Sequence, residues 1–332
     1  MSQTIEENSG VSLQIKSAND QLAALNQHWQ SVIVGQHDAM QKILIALIAN
    51  GHVLLEGVPG LAKTLMIRTL ANLLDCEYKR IQFTPDLLPS DITGTQIYNA
   101  QTQTFDTKKG PLFSQFILAD EINRAPAKVQ SALLESMQEN QITIGTTTYD
   151  LPRPFFVLAT QNPIDQDGTY PLPEAQMDRF IMKVVLTYPT LDEEKHIIKR
   201  FQQGAPTVTS PVMPVDYIPK IQALAGSIYI DEKVSEYVVR LVDATRHPGG
   251  VGLEVLAPYI RCGASPRATL AFIAAAKAYA FIDRRNYVVP EDIKYLAHAI
   301  LRHRLQLTFA AEAESMTADK IIDTILGNVE VP

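Results

Sequence analysis

Short apolar runs alternate with helical patterns over residues 50–187. The runs lie at 52–55, 79–83, 116–119, 155–159 and 180–186. Glycine or proline breaks separate them from segments in which apolar residues recur every three or four positions. This alternation predicts a doubly wound α/β domain in which five short strands form one parallel sheet.

The apolar pattern changes at about residue 190. Strand-like runs stop there, and apolar residues at three- and four-residue spacing fill segments near 191–203, 216–226, 231–246, 266–283, 290–304 and 317–327. This spacing predicts a helical domain. The change at Tyr188-Pro189-Thr190 divides the chain into an N-terminal helical or flexible segment (1–29), the α/β domain (30–189) and an all-α domain (190–332).

Two polar stretches interrupt the α/β pattern, at residues 95–107 and 141–151. Both are rich in Thr, Ile and Tyr, with turn residues between the strand-forming ones. This composition predicts two β-hairpins inserted into the α/β domain. The hairpins could be surface additions without a function. Neither belongs to the five-stranded core, however, so the presence of each insertion requires an explanation.

The composition and charge restrict which partners the protein can bind and in which compartment it is expected. The 332 residues are 46% hydrophobic, and a formal net charge of −7 provides no overall positive field for holding nucleic acid or anionic lipid. The two cysteines exclude a disulfide framework and fit a reducing compartment. The polar opening MSQTIEENSG is unlike a signal peptide, and the apolar runs are too short to cross a membrane. We therefore expect a cytoplasmic protein without membrane insertion.

The octapeptide GVPGLAKT directly follows the first predicted strand and precedes a helical stripe. It consists of Gly57, Val58, Pro59, Gly60, Leu61, Ala62, Lys63 and Thr64, and Leu65 continues into the helix. Strand, glycine-containing loop and helix form the setting of a phosphate-binding loop. Backbone N–H groups would surround the phosphates, Lys63 would reach the β and γ phosphates, and Thr64 would bind Mg²⁺.

Ala62 departs from the usual motif, because it stands where a last glycine is common. Its backbone N–H can still face a phosphate. The methyl group, however, removes the freedom of glycine to adopt a positive φ. We therefore expect position 62 to have the dihedral angles of a first helical turn.

The second candidate part of a nucleotide site is a pair of acidic residues at the end of a predicted strand. Asp120 and Glu121 follow the apolar residues 116–119 at the carboxyl end, where open α/β sheets bind ligands. Asp120 would hold Mg²⁺, and Glu121 would act as the general base that activates a water molecule. The alternative is a strand that reaches the surface and ends in solvated acids.

Asn162 follows the apolar run 155–159. An uncharged amide beside a γ-phosphate can position the attacking water without cancelling its charge, which makes Asn162 a candidate for that role. The alternative is a turn asparagine before a proline, here Pro163, which is a common arrangement.

Several stretches together resemble the MoxR group of the AAA+ ATPases. They are GVPGLAKT, Asp120-Glu-Ile-Asn-Arg-Ala-Pro126, Ala159-Thr-Gln-Asn-Pro163, Leu172-Pro-Glu-Ala-Gln-Met-Asp-Arg-Phe180 and Ser265-Pro-Arg267. They occur in the family's order, and the resemblance as a whole covers roughly residues 30–305. The resemblance implies a P-loop NTPase core, hydrolysis of Mg-ATP and a helical lid over residues 190–332. It also implies that alanine before the loop lysine is an accepted variant.

Further residue roles are implied by the resemblance alone. The segment Ile33-Val34-Gly35-Gln36 resembles the one that packs near adenine, Arg179 resembles the arginine finger of a neighbouring subunit, and Arg267 resembles the second sensor arginine. Without the resemblance, the segment would be a turn before a helix, Arg179 would form a surface ion pair with Asp178 or Glu174, and Arg267 would be a solvated charge. We expect Arg124, which lies within the second stretch, at a subunit contact.

The resemblance also implies a mechanical function. ATP would be cleaved at subunit interfaces of a homo-oligomeric ring, a hexamer, and the hairpins would face the pore or its substrate. An arginine finger can be worth about 10³–10⁵ in rate, so hydrolysis would depend on assembly. The output would be chaperone-like remodelling or maturation of a protein client, including partners with a von Willebrand factor A domain.

Three other functions are consistent with parts of this sequence pattern. A magnesium-chelatase-like ATPase subunit has the same architecture and stays open. A nucleic-acid-acting AAA+ motor is disfavoured, because the hairpin tips carry Thr, Gln and Asn and only Lys108-Lys109 and the run 302–304 offer phosphate contacts. A scaffold that binds ATP without turnover disagrees with intact Lys63, Asp120 and Glu121.

Overall fold

The computed structural model describes residues 2–162, 170–204 and 210–332, with the side chains of all of these except 2–14 and 203. The helices of this part are α1 (Ser2–Val32), α2 (His37–Ile48), α3 (Lys63–Leu73), α4 (Pro89–Thr93), α5 (Ala127–Glu139), α6 (Glu174–Met177), α7 (Leu191–Gln203), α8 (Ile218–Gly226), α9 (Glu232–Ala244), α10 (Pro266–Ile282), α11 (Pro290–Leu301), α12 (Phe309–Ala313) and α13 (Ala318–Asn328). The strands are β1 (Val53–Glu56), β2 (Tyr78–Gln82), β3 (Gly94–Asn99), β4 (Thr104–Lys109), β5 (Phe116–Asp120), β6 (Gln141–Ile144), β7 (Thr147–Asp150), β8 (Phe156–Gln161), β9 (Met182–Val185), β10 (Ile260–Cys262) and β11 (Gln306–Leu307).

These elements form two compact units. The α/β unit contains Trp29–Met40 and Asn50–Asp216. The helical unit contains the N-terminal helix as far as His28, Gln41–Ala49 and Tyr217–Pro332. The predicted division of the chain into 1–29, 30–189 and 190–332 stays a prediction.

The α/β unit is built on a parallel five-stranded sheet in the order β2-β5-β8-β1-β9. This confirms the predicted sheet. The central strands are buried on both faces, as Leu54, Ile117 and Leu158 show with no exposed surface. Burial on both faces explains why these strands read as continuous apolar runs rather than as alternating ones.

The register of the sheet brings four polar strand ends to one edge. Glu56 at the end of β1 pairs with Gln161 of β8, and Gln82 at the end of β2 pairs with Asp120 of β5. Since all five strands run in the same direction, the loops that follow these residues leave from the same edge. This is the edge at which open α/β sheets bind ligands.

The two predicted β-hairpins are present. β3 pairs with β4 in antiparallel register from Gly94↔Lys109 to Asn99↔Thr104, and β6 pairs with β7 from Gln141↔Asp150 to Ile144↔Thr147. They lie against each other, because the Tyr149 hydroxyl of the second donates to Thr107 Oγ1 of the first at 3.1 Å.

The helical unit is centred on α10, which packs against α8, α9 and α11. In the described residues it departs from the all-α prediction at an isolated parallel bridge between Tyr229 and Tyr287 and at the antiparallel pairing of β10 with β11. These strands have three and two residues, too few to produce a periodic signal in the sequence. Across both units, none of the helices that the structure describes has the length and apolar character needed to cross a membrane.

His52 is a buried histidine immediately before β1. Its Nδ1 accepts the backbone N–H of Val157 at 3.1 Å, and its Nε2 lies 3.2 Å from the carbonyl oxygen of Met137. An acceptor at Nδ1 requires the neutral ring with its proton on Nε2. Burial lowers the pKa of His52 from 6.5 to about 4, although the hydrogen bond to Met137 acts in the opposite direction.

We expect the α/β unit to lose stability as the pH falls from 6.5 to about 4. The folded-state pKa of His52 lies below the unfolded value, so the unfolded chain binds the proton first in this window. Urea unfolding should give a free energy of unfolding about 2 kcal/mol lower at about pH 5 than at about pH 7.

The matched variant is His52→Gln, whose amide does not titrate. It should be less stable than the parent at neutral pH, yet lose about 2 kcal/mol less between the two pH values. An equal loss in both proteins would mean that His52 is not the source of the acid sensitivity.

Candidate functional site

A cavity of about 490 Å³ lies at the carboxyl edge of the parallel sheet. It is lined by Pro59, Gly60, Leu61, Ala62, Lys63, Thr64, Leu65, Arg68, Arg80, Asp120, Glu121 and Asn162. All of these except Arg68 and Arg80 are residues that the sequence predicts for a nucleotide site. The fold therefore brings the loop, the acidic pair and the asparagine to one wall.

The loop between β1 and α3 contains two residues in the left-handed region. Gly60 has φ 89°, and Ala62, the N-cap of α3, has φ 57° and ψ 20°. The expectation that Ala62 has first-turn dihedral angles is wrong. The chain turns from the loop into α3 within this one residue, and a left-handed N-cap makes that turn. For a residue with a Cβ the conformation costs about 1–2 kcal/mol.

Lys63 is held against its own loop. Its Nζ donates a hydrogen bond to the carbonyl oxygen of Gly57. Burial lowers the pKa of Lys63, and the nearby carboxylates of Asp120, Glu121 and Glu56 oppose this effect. The ammonium group therefore lies at the cavity with acidic side chains around it, at the N-terminus of α3, whose partial positive charge adds to its own.

Asp120 is held at both carboxylate oxygens. Oδ1 accepts the hydroxyl proton of Thr160 on β8 at 2.6 Å. Oδ2 accepts from Nε and Nη2 of Arg80 on β2, at 3.0 and 2.6 Å. These contacts exist because β5 lies between β2 and β8, so each neighbouring strand supplies one partner.

Glu121 is held through its backbone and its carboxylate. Its N–H donates to Thr160 Oγ1 at 2.8 Å, and its own φ of 56° is left-handed. The carboxylate oxygen Oε2 accepts from Gln82 Nε2 at 2.9 Å and lies 3.1 Å from Arg124 Nε. The predicted place of Arg124 at a subunit contact stays a prediction, and within the chain it pairs with Glu121.

Sequence reasoning missed three partners of the acids, namely Arg80, Gln82 and Thr160. The only available signal is the alternation in β2, where Arg80 and Gln82 flank the buried Ile81 and so share one face. That signal cannot be used without the strand order, which shows that β2 lies beside β5.

Asn162 is buried and lines the cavity one residue beyond β8. This position agrees with an amide that faces the phosphates. Pro163, the next residue of the predicted motif, lies outside the described residues. The role of Asn162 in positioning water stays a prediction.

Val34, Gly35 and Gln36 form the loop between α1 and α2. Gly35 and Gln36 have φ values of 69° and 58°, and Gln36 Nε2 donates to the carbonyl oxygen of Thr187 at 2.7 Å. A Cβ at Gly35 would lie 2.7 Å from the Glu193 carboxylate. Of the described residues that line the cavity, none comes from this loop. Its role near adenine stays a prediction.

The resemblance assigns roles to two arginines, Arg179 and Arg267. Arg179 follows α6, is half-buried, and is not among the described residues that line the cavity of its own chain. Arg267 is exposed near the start of α10, where its N–H donates to Ser265 Oγ at 3.1 Å. Their roles as arginine finger and second sensor stay predictions.

The residues present fit a magnesium ion that binds together with phosphates. Thr64 and Asp120 line the cavity and offer a hydroxyl and a carboxylate. Mg²⁺ commonly takes one or two such protein oxygens and completes its shell with phosphates and water. The described residues contain no group of three or more His, Cys, Asp or Glu side chains that could hold a metal alone.

Comparison with known proteins agrees with the geometry. The model of the ATPase family associated with various cellular activities (AAA) matches residues 52–182, and the AAA lid domain model matches residues 254–325. The chain is 46% identical to Chaperone MoxR1 of Mycobacterium tuberculosis over 301 residues, which cover 91% of this chain and 80% of the relative. It is 44% identical to protein YeaC of Bacillus subtilis over 307 residues, covering 92% and 93%.

A solved structure is similar over the whole length. The crystal structure of a candidate ATPase from Cytophaga hutchinsonii has 48% sequence identity, covers 99% of each chain and superposes with a TM-score of 0.91. The AAA match includes every described residue that lines the cavity. The protein therefore binds nucleotide and hydrolyses ATP. The chain belongs to the MoxR family of AAA+ ATPases.

Proposed function

We propose that this ATPase couples hydrolysis of Mg-ATP at subunit interfaces to the chaperone-like remodelling or maturation of a partner protein. The observation that carries the proposal is the single cavity wall shared by the phosphate loop, Lys63, both acids and Asn162. The identity with Chaperone MoxR1 supports the part that concerns a client protein.

The residues on the wall divide the chemistry among them. The loop N–H groups and Lys63 bind the phosphates, and the N-terminus of α3 adds to the positive potential there. Thr64 and Asp120 would hold Mg²⁺, which would supply positive charge that offsets the charge of the phosphates. Glu121 accepts the proton of the attacking water, and Asn162 orients that water.

Arg179 completes the site of a neighbouring copy. Its absence from the described wall of its own cavity supports action on another subunit rather than on its own. Such a shared site requires a contact between copies, which closes into a ring when the rotation between them allows it, and we propose a hexamer. Val34, Gly35 and Gln36 would pack near adenine in the same scheme, and Arg267 would act as the second sensor.

The hairpins are proposed to contact the client. On the first hairpin Ile97, Tyr98 and Phe105 are 49%, 54% and 65% exposed, and the two aromatic rings lie 5.3 Å apart. Exposed apolar side chains grouped in this way are typical of surfaces that bind protein. Partners with a von Willebrand factor A domain are part of this proposal, and the two free cysteines fit the cytoplasm as the site of action.

Three of the basic residues that a nucleic-acid motor would use, Lys109, Arg302 and Arg304, make contacts within the chain. The Lys109 ammonium lies 4.7 Å from the Phe113 ring centroid and 5.0 Å from that of Tyr149. Arg302 pairs with Asp319 at 2.8 Å, and the buried Arg304 donates to the carbonyl oxygen of Ile300. These contacts weigh against phosphate binding by the same side chains.

Glu121→Gln should retain ATP binding and lose turnover. The amide keeps the shape of the side chain but cannot accept the proton of water, so phosphate release should fall by about 10²–10⁴. ATP affinity, measured by calorimetry, should stay within a few-fold of the parent. Lys63→Ala is the control that should lose binding itself, and normal phosphate release from Glu121→Gln would remove the general-base assignment.

Arg179→Ala should lower the activity of the assembly by about 10³ or more, because the transition-state charge loses its guanidinium. The ATP dissociation constant of isolated subunits should not change. Mixing Arg179→Ala with Glu121→Gln should restore part of the phosphate release, since one variant supplies the arginine and the other the glutamate. A mixture as inactive as its components would rule out a site shared between copies.

Client binding should depend on both nucleotide and hairpin. The Glu121→Gln protein, held in its ATP state, should retain client proteins that the ADP state releases, as read by mass spectrometry of the captured material. Adding Tyr98→Ser and Phe105→Ser to that protein should reduce capture while ATP is still bound. Equal capture with ATP, with ADP and with the altered hairpin would contradict nucleotide-driven remodelling.

A further inference from the structure

Arg80 lies on the edge strand β2 and pairs with Asp120 at the end of β5. Its Nε and Nη2 both donate to Asp120 Oδ2, at 3.0 and 2.6 Å, and Nη2 also donates to Gln82 Oε1 at 2.7 Å. The Asp120 side chain is only 14% exposed, whereas that of Arg80 is 48% exposed and lines the cavity. A carboxylate so far removed from water needs a counter-charge, and Arg80 supplies it.

The two oxygens of Asp120 have different partners. Oδ1 accepts from the neutral hydroxyl of the fully buried Thr160. Oδ2 accepts two charge-assisted hydrogen bonds from Arg80, which are stronger than hydrogen bonds between neutral groups. A cation that binds to Asp120 would therefore meet the guanidinium at Oδ2.

We propose that Arg80 is a positioning residue that holds Asp120 as its counter-ion and competes with Mg²⁺ for Oδ2. It thereby sets how strongly ATP binding depends on the metal. This inference rests on the proposed role of Asp120 in holding Mg²⁺ and adds a residue that the sequence motifs do not contain.

The charges on the wall give the direction of the effect. Lys63, Arg68 and Arg80 face two carboxylates there. Without Arg80, metal-free ATP, a polyanion, would meet a wall with one positive charge fewer and with Asp120 uncompensated. Mg-ATP would meet an Asp120 that has lost its competitor. Removal of Arg80 should therefore weaken metal-free binding more than binding of Mg-ATP.

Arg68 provides a matched control. It lines the same cavity from α3, whereas the hydrogen bonds to Asp120 Oδ2 come from Arg80. Arg68→Met and Arg80→Met each remove one positive charge from the wall, but only the second releases Asp120. A general attraction of phosphate would be lost in both variants alike.

The test is the ATP dissociation constant measured by calorimetry, once with EDTA and once with excess Mg²⁺. The readout is the ratio of the metal-free constant to the Mg²⁺ constant. Arg80→Met should raise this ratio at least about tenfold relative to the parent, the size expected for loss of a charge-assisted bond. Arg68→Met also removes one positive charge from the wall but leaves Asp120 paired with Arg80, so it should raise the ratio by a clearly smaller factor than Arg80→Met.

Two further variants make the result specific. Arg80→Lys keeps the charge but loses the two-nitrogen contact, so its ratio should rise less than that of Arg80→Met, and it serves as the test if Arg80→Met does not fold. In an Asp120→Asn background, Arg80→Met should change the ratio no more than Arg68→Met does, because the neutral amide needs no counter-ion and only the general loss of charge remains.

An unchanged or lower ratio in both Arg80 variants would overturn the proposal. A rise of the same size in Arg68→Met would also overturn it, since the effect would then be one of general charge. Failure of the parent protein to bind ATP in either condition would contradict the nucleotide site itself. That result differs from every outcome that concerns Arg80 alone.

Discussion

The site depends on the parallel pairing of β5 between β2 and β8. Side chains alternate along a strand, so adjacent acids at a strand end would face opposite sides of the sheet. Glu121 avoids this because its left-handed backbone ends β5 and redirects its carboxylate, and both acids then line one cavity. Thr160 on β8 holds both acids in place, since its hydroxyl donates to Asp120 and accepts from the Glu121 N–H. One neighbouring strand thus supports both candidate catalytic carboxylates.

Two residues of the cavity wall have a strained backbone. Ala62 and Glu121 both have a positive φ, and each costs about 1–2 kcal/mol relative to right-handed backbone. Residues held in such conformations persist only where their surroundings determine them, and they cluster at functional sites. Here the buried strands β1, β5 and β8 provide that support. The strain places the two residues where the loop and the acids face each other.

Among the described residues, the wall of the cavity contains the phosphate loop, both acids and Asn162 but not the proposed arginine finger. The phosphate loop, the acids and Asn162 come from one chain, and Arg179 is elsewhere on that chain. Arg80 adds a second level of control in our scheme, because it acts on Asp120 rather than on the substrate. Assembly would then govern turnover, whereas Arg80 would govern the dependence of binding on the metal. The two controls act on different steps and involve different residues.

Much of the architecture could be predicted from the sequence because its signals are local. Buried strands appear as continuous apolar runs, GVPGLAKT follows one of them directly, and the acids follow another. The order of strands was not available, because Arg80 and Thr160 lie 40 positions from Asp120 along the chain. The backbone angles of Ala62 could not be predicted either, because the turn from the loop into α3 determines them. By itself the sequence determined which segments form the strands of the parallel sheet and the loop after β1. Only the tertiary structure decided which side chains meet at Asp120, since pairing between distant strands leaves no local pattern.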